Sequence, residues 1–512
     1  MSSKNFYQNL TSALLTLPLL IVPACGSDYA AEQSGGDGKS PGVGQGGAQD
    51  FGQFKEILEG GGIPGPETID DVGFFNEHKI ELPQASCGET ICLHGLFGQM
   101  GNMINGSTCT TVVVGMNTSI DPLLLERPPL NLALAIDVSG SMEGEPMQYV
   151  REGLHRMLDS LDPQDRVSII AFSDQAQTRA LRLEGDDPSL AAAIDGLQAG
   201  GATNIYDGLR SAFEVVEEVA EEGLQNRVIL LSDGLATAGI TSEAKILAMA
   251  GGYNAAGLGL TTIGVGQDFD VELMRSLSES GSGAFYFLQD PAAVQEVFVE
   301  EVTSFMVPLA SEVSIDVGIG ADYTLRGIYG TKSFSATGKS GTIEIPSLQL
   351  AHRESVDDNE GGRRGGGGAI LLELIPVAGA SGSELSVGDL TLSYRDAFTD
   401  LMVEQKAVID APIGPSDPGA FFATPSVEKG FVMLNIYMGF QMAALRARSG
   451  DDPGALNLLI GLEGAVSEWL EKIPDADIED DLIYIRLFID NLEARGAQQP
   501  ENRPLPNPWP QD

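Results

Sequence analysis

Residues 130–142 read Leu-Asn-Leu-Ala-Leu-Ala-Ile-Asp-Val-Ser-Gly-Ser-Met, and the fold follows from them. Leu132, Ala133, Leu134, Ala135 and Ile136 form the continuous apolar run that a strand needs when both of its faces are covered. The run stops at Asp137, and Ser139 and Ser141 follow at every second residue. A carboxylate and two hydroxyls so spaced can turn three oxygens toward one point. The loop leaves the carboxyl end of a strand, which is where open parallel sheets gather their ligands.

Working outward, helices and strands alternate from residue 131 to 309. Val150, Leu154, Met157, Leu158 and Leu161 share a face at helical spacing. Residues 167–172, 228–231, 260–265 and 285–288 read as strands. Residues 207–222, 243–250 and 291–307 read as helices, the last with Pro291 suited to a first turn. Such alternation predicts a doubly wound α/β domain with a mostly parallel sheet. Two further polar pieces fall at later strand ends. One is Thr203 in Gly-Gly-Ala-Thr-Asn, ahead of the helix carrying Asp207; the other is Asp233 in Leu-Leu-Ser-Asp-Gly.

Together Asp137, Ser139, Ser141, Thr203 and Asp233 resemble the metal-ion-dependent adhesion site of von Willebrand factor A (VWA) domains, in order and on the expected elements. The surrounding residues 110–310 resemble bacterial VWA-containing lipoproteins and, more distantly, inter-alpha-trypsin inhibitor heavy chains. That resemblance implies a bound Mg²⁺, replaceable by Mn²⁺ or Ca²⁺, whose open position is filled by a Glu or Asp of a partner protein. The donor types suit it. Mg²⁺ demands octahedral oxygen ligation and readily keeps water, so neutral hydroxyls with few direct carboxylates leave the ion short of charge. Glu143 and Glu145 read first as a solvated loop, with a rim of the metal face favouring mixed-charge ligands as the other reading, and Asp207 as a helix-start acid within reach of a supporting role. Asp268 and Asp270 lack the spacing and Gly of an EF-hand and read as a turn before a helix.

After Pro308 the period changes. Val313, Ile315, Val317 and Ile319 alternate with non-apolar neighbours, and short runs recur at 325–329, 342–345, 370–375 and 390–394. Residues 310–412 are therefore an antiparallel β-rich domain, with the Gly-rich insert "HRESVDDNEGGRRGGGG" read as a loop. The apolar stretch at Val112, Val113 and Val114 is expected to pair with these strands, making the 128–309 domain an insertion into a β-sandwich. Residues 426–496 read as a helical hairpin or small bundle, on stripes such as Phe431, Leu434, Met438 and Met442. Residues 497–512 form a Pro-rich tail expected to be disordered.

The chain carries 29 Lys+Arg against 73 Asp+Glu, a formal net charge of −44. Such a surface repels nucleic acid and anionic lipid and attracts divalent cations and basic partners. Residues 1–25 read as a signal peptide. Lys4 precedes an apolar stretch from Leu10 to Val22 that is too short to span a bilayer. Val-Pro-Ala-Cys-Gly then resembles a lipobox with Cys25 as the lipidated residue. Gly26 after it points to the outer membrane, so the expected location is a bacterial cell envelope, or the medium if Cys25 is not lipidated. Residues 26–53 read as a disordered Gly-rich tether, and 54–127 as a Cys-containing region with strands. Export permits one local disulfide among Cys87, Cys92 and Cys109, pairing undetermined. No zinc spacing accompanies them.

Enzyme signatures are thin. Gly264-Val265-Gly266 lacks the third Gly of a dinucleotide fingerprint, no phosphate-binding loop occurs, and His78, His94, His155 and His352 are scattered. Hydrolysis at the metal would require a general base that the pattern does not supply. The expectation is a non-enzymatic adhesion or assembly module, with an envelope chaperone or regulatory subunit as the alternative and a hydrolase as the remote one.

Overall fold

The computed structural model describes residues 41–49, 51–120, 128–221, 223–233, 235–265, 270–288, 297, 308–351, 369–377, 386–413 and 420–499. Within the strand Leu130–Asp137 the apolar run divides by face. Leu132, Leu134 and Ile136 join a cluster with Met147, Val150, Leu154 and Met157 of the helix Glu145–Leu158. Ala133 and Ala135 instead meet Leu209, Ala212 and Phe213 of the helix Ile205–Glu217. Both faces are covered, which is why the strand has no polar alternation.

Among the described residues seven strands make this sheet, in the order Gly47–Ala48, Ala284–Leu288, Gly259–Val265, Gln225–Ser232, Leu130–Asp137, Arg166–Phe172, Ala176–Glu184. All neighbours are parallel except the last pair. The chain winds first to one side of Leu130–Asp137 and then to the other, so the switch in strand order falls between Asp137 and Asp233. Ala176–Glu184 was not foreseen. It is an edge strand with mostly exposed side chains and carries no apolar alternation. The helix Pro188–Asp195 was also missed, the helix expected to start after Asp270 runs over Val271–Ser280, and the helix expected over 207–222 runs instead over Ile205–Glu217.

The strands at 325–329, 342–345 and 390–394 belong to a large antiparallel sheet, eleven-stranded among the described residues. Thr108–Asn117 pairs with Ile370–Pro376, Val113 opposite Leu371, so segments before and after the α/β domain share one sheet. Val112, Val114, Ile370 and Leu372 face Val313, Ile315 and Leu390 in one apolar cluster. Val113 and Leu371 point the other way, into a helical layer. That layer holds Pro425–Arg448, Asp452–Lys472 and Ala476–Ala494 together with the N-terminal helices Gly52–Glu59 and Asp71–Asn76. Phe54 lies 4.8 Å from Phe440, ring centre to ring centre. Between the layers' N- and C-terminal parts, His78 Nε2 lies 2.7 Å from Asp481 Oδ2, both side chains fully buried.

The tether expected over 26–53 is overturned from Gly42 onward. Gly42–Gln45 pairs antiparallel with Ser340–Ala351, and Gly47–Ala48 adds a parallel strand beside Ala284–Leu288. One short segment therefore straps the two sheets together. Glycine suits it because a Cβ on Gly46 would fall 2.5 Å from the Gly283 carbonyl oxygen. Low apolar content misled the sequence reading, since backbone hydrogen bonds and close approach, with only Val43 and Ala48 buried as apolar side chains, hold this piece. At the same junction Asp70 pairs with Arg275 at 3.1 Å and Lys332 at 2.8 Å.

The disulfide is Cys87–Cys92, and Cys109 is free and buried. Cys25, the insert 352–368, residues 500–512 and all but residue 297 of the segment 291–307 lie outside the described residues. No helix among the described residues is long and apolar enough to cross a membrane.

Candidate metal centre

Asp137 closes its strand fully buried, and its loop turns back on it. The Ser139 N–H donates to Asp137 Oδ1 at 2.8 Å, and the Ser232 hydroxyl donates to Asp137 Oδ2 at 2.6 Å. Burial pushes this carboxyl above its ordinary range, and the hydrogen bonds from Ser232 and Ser139 work against that. Asp137 thus anchors the loop through both oxygens.

From there a chain of oxygens runs outward. Ser139 Oγ lies 3.0 Å from Ser141 Oγ, and Ser141 Oγ donates to Asp233 Oδ1 at 2.8 Å. Ser139 is 1% exposed and Asp233 7%, whereas Ser141 is open to solvent. The group is approachable from one side only.

Thr203 stands on the adjoining loop, 4% exposed. The Gly140 N–H donates to the Gly201 carbonyl at 3.0 Å, tying the Ser139–Ser141 loop to it. Gly201 has φ +94°, which a residue with a Cβ adopts only under strain, and a Cβ there would also fall 2.6 Å from Asp174 Oδ2. Thr203 is clamped from the far side as well. Its carbonyl accepts from Thr237 N–H at 2.9 Å and Ala238 N–H at 3.1 Å, while its own N–H donates to Thr237 Oγ1 at 3.0 Å.

Asp137, Ser139, Ser141 and Asp233 are therefore joined by hydrogen bonds, and Thr203 is held on a loop bonded to theirs. Asp207 is turned to other tasks. It accepts from the Ala176 N–H and the Arg210 guanidinium, both at 2.8 Å. Burial opposes its ionisation, but those two partners outweigh it and hold the carboxyl below the usual range. Glu143 and Glu145 are exposed. Asp270 caps the helix Val271–Ser280 by accepting from Leu273 N–H at 3.0 Å, and Asp268 lies outside the described residues. His155 meets Asp195 at 2.9 Å on the surface, far in role from the loops.

Sequence reading missed Ser232, Thr237 and Asn204. Ser232 immediately precedes Asp233, and its strand-end position was the available signal. Asn204 caps the helix Ile205–Glu217, accepting from Asp207 N–H at 3.2 Å. Thr237 carried no pattern, because its contact with Thr203 joins residues 34 apart.

The donor set suits a small divalent ion. Adjacent ligands around an octahedral ion with oxygens at about 2.1 Å lie about 3.0 Å apart. The Ser139–Ser141 and Ser141–Asp233 separations are 3.0 and 2.8 Å. No cluster of three or more His, Cys, Asp or Glu among the described residues has a metal-holding arrangement.

A family model for the von Willebrand factor type A domain matches residues 131–300. The uncharacterized protein YfbK of Escherichia coli is 27% identical over 195 residues, which cover 38% of this chain and 34% of YfbK. Human inter-alpha-trypsin inhibitor heavy chain H4 is 31% identical over 209 residues, 38% of this chain and 22% of that protein. The match thus spans about a third or less of either relative. A solved von Willebrand factor type A structure from Catenulispora acidiphila aligns over 79% of this chain and 91% of its own, at 18% identity and a TM-score of 0.48. Residues 131–300 are a von Willebrand factor type A domain, of a family of protein-interaction and adhesion modules.

Proposed function

We propose that the chain is a metal-dependent protein-binding component of the bacterial cell envelope. Ser139, Ser141 and Thr203 would hold a divalent ion, Mg²⁺ in the first instance, with Asp137 and Asp233 supplying charge and orienting hydroxyls and waters. Mn²⁺ and Ca²⁺ are the expected substitutes. Bound there, the ion would offer an electrophilic position to an anionic oxygen, and a Glu or Asp of a partner protein is the oxygen proposed to fill it.

The observation that carries this reading is the oxygen chain from Ser139 through Ser141 to Asp233, spaced for one small ion and exposed at Ser141 alone. Asp137, buried and twice hydrogen-bonded, keeps the loop in shape without facing the partner. Cys25 is proposed as the lipid attachment point, holding the protein at the outer membrane.

The test is capture from envelope extracts in Mg²⁺ and in EDTA, wild type beside Asp137→Ala. The expected result is a partner retained only by wild type and only with metal. Equal capture by both proteins under both conditions would end the proposal. Metabolic labelling with a radioactive fatty acid, lost in Cys25→Ser, checks the anchor separately.

A further inference from the structure

The loop that clamps Thr203 has a second property. Between Asp233 and the helix Glu243–Asn254 the chain carries Leu235, 54% exposed, and Ile240, 37% exposed. Among the described residues of the α/β domain only Leu181, at 49%, joins them as an exposed large apolar side chain. Single exposed apolar residues are ordinary on a protein surface. Two of these three lie on one short loop beside the candidate metal centre.

The loop is also held firmly. Thr237 and Ala238 both donate to the Thr203 carbonyl, and Thr237 Oγ1 accepts from Thr203 N–H. Gly239, at φ +64°, lies so close to the helix cap that a Cβ would fall 2.3 Å from Asn204 Oδ1. Leu235 and Ile240 therefore stand on a frame bonded to the metal loops, and a partner need not order them on arrival.

Resting on the metal reading above, we propose that this loop is the apolar half of the partner site. The partner would present its acidic residue with an apolar side chain one or two positions away, and that side chain would pack on Leu235 and Ile240. The spacing supports this. Leu235 follows Asp233 by two residues, so their Cα atoms are at most about 7.6 Å apart. An extended peptide places residues i and i+2 on one face about 6.6–6.8 Å apart. Charge narrows the class further. Glu143 and Glu145 are exposed just beyond Ser141, and the chain's net charge is −44, so a basic residue elsewhere in the partner's segment is favoured. The same charge opposes an anionic membrane as the covering of Leu235 and Ile240.

The experiment uses the full chain over sensor surfaces coated with short peptides. Each peptide contains one Glu and one Lys, with either Leu or Ser two positions from the Glu. Binding is measured in Mg²⁺ and in EDTA for wild type and for the double variant Leu235→Ser with Ile240→Ser. Both sites are solvent-exposed, and circular dichroism confirms that the variant is folded. The expected result is Mg²⁺-dependent capture about tenfold tighter for the Leu peptide. In the double variant the Mg²⁺ dependence stays and the preference falls to about twofold or less.

Metal-dependent capture with equal affinity for both peptides overturns this inference and leaves the metal reading standing, as does a preference unchanged in the double variant. Absence of capture, or capture indifferent to EDTA, overturns both. Phosphatidylcholine vesicles that bind wild type but not the double variant would show a lipid covering instead, and would also overturn it.

Discussion

Ser141→Ala is the sharpest probe of the candidate centre, because Ser141 is its exposed middle oxygen. Its hydroxyl stands 3.0 Å from Ser139 Oγ and donates to Asp233 Oδ1 at 2.8 Å. Removing it takes one donor from the ion and the link that orients two others. Loss of a single orienting partner typically weakens metal affinity about 10–100-fold. Without metal the change should be nearly silent, within about 0.5 kcal/mol, since water replaces an exposed hydroxyl. At a Mg²⁺ concentration about 100 times the wild-type Kd, binding stabilises wild type by about 2.7 kcal/mol. With affinity reduced 10–100-fold the variant gains only about 0.4 to 1.4 kcal/mol. Isothermal calorimetry gives the two affinities, and scanning calorimetry with and without Mg²⁺ gives the stabilities. Equal Mg²⁺ responses of wild type and variant would refute the reasoning. So would a wild type that gains nothing from Mg²⁺, Mn²⁺ or Ca²⁺.

Three other perturbations test the framework. A Cβ on Gly208 would fall 2.4 Å from Cδ1 of buried Phe172, so Gly208→Ala should destabilise the α/β domain by about 1–3 kcal/mol in thermal melts; no measurable loss would contradict that packing. Asp481→Ala removes a buried hydrogen-bond partner of His78 Nε2 and should cost about 1–3 kcal/mol in urea unfolding followed by fluorescence of Trp469 in the same helical layer. Replacing both residues by Leu should recover part of that loss. Burial, with the Asp70 carboxylate adding to it against Lys332 and Arg275, pushes Glu279 up to about 7 from 4.5. A raised acid favours folding below its unfolded pKa and loses that contribution as pH rises through the folded value. Stability at the strap junction should therefore fall between pH 4.5 and about 7, by on the order of 3 kcal/mol, and Glu279→Gln should flatten the slope in pH-dependent melts.

The sequence by itself determined the α/β domain and brought out the oxygen-bearing residues that its loops gather. Leu132 to Ile136 needed cover on both faces, and that demand is written in consecutive residues. Asp137, Ser139 and Ser141 lie within five positions, so one loop brings them together. Val112–Val114 against the later β region was legible too, because three successive valines imply a strand with two covered faces.

What lies outside local pattern came only from the tertiary structure. The strap at Gly42–Ala48 is held by backbone hydrogen bonds and close approach, neither of which leaves an apolar signature. The turning of Asp207 toward Ala176 and Arg210, the clamp of Thr237 on Thr203, and the choice of Cys87–Cys92 over pairings with Cys109 each depend on which distant segments meet. Residue types state what a side chain can bond to; the path of the backbone decides which of those bonds is within reach.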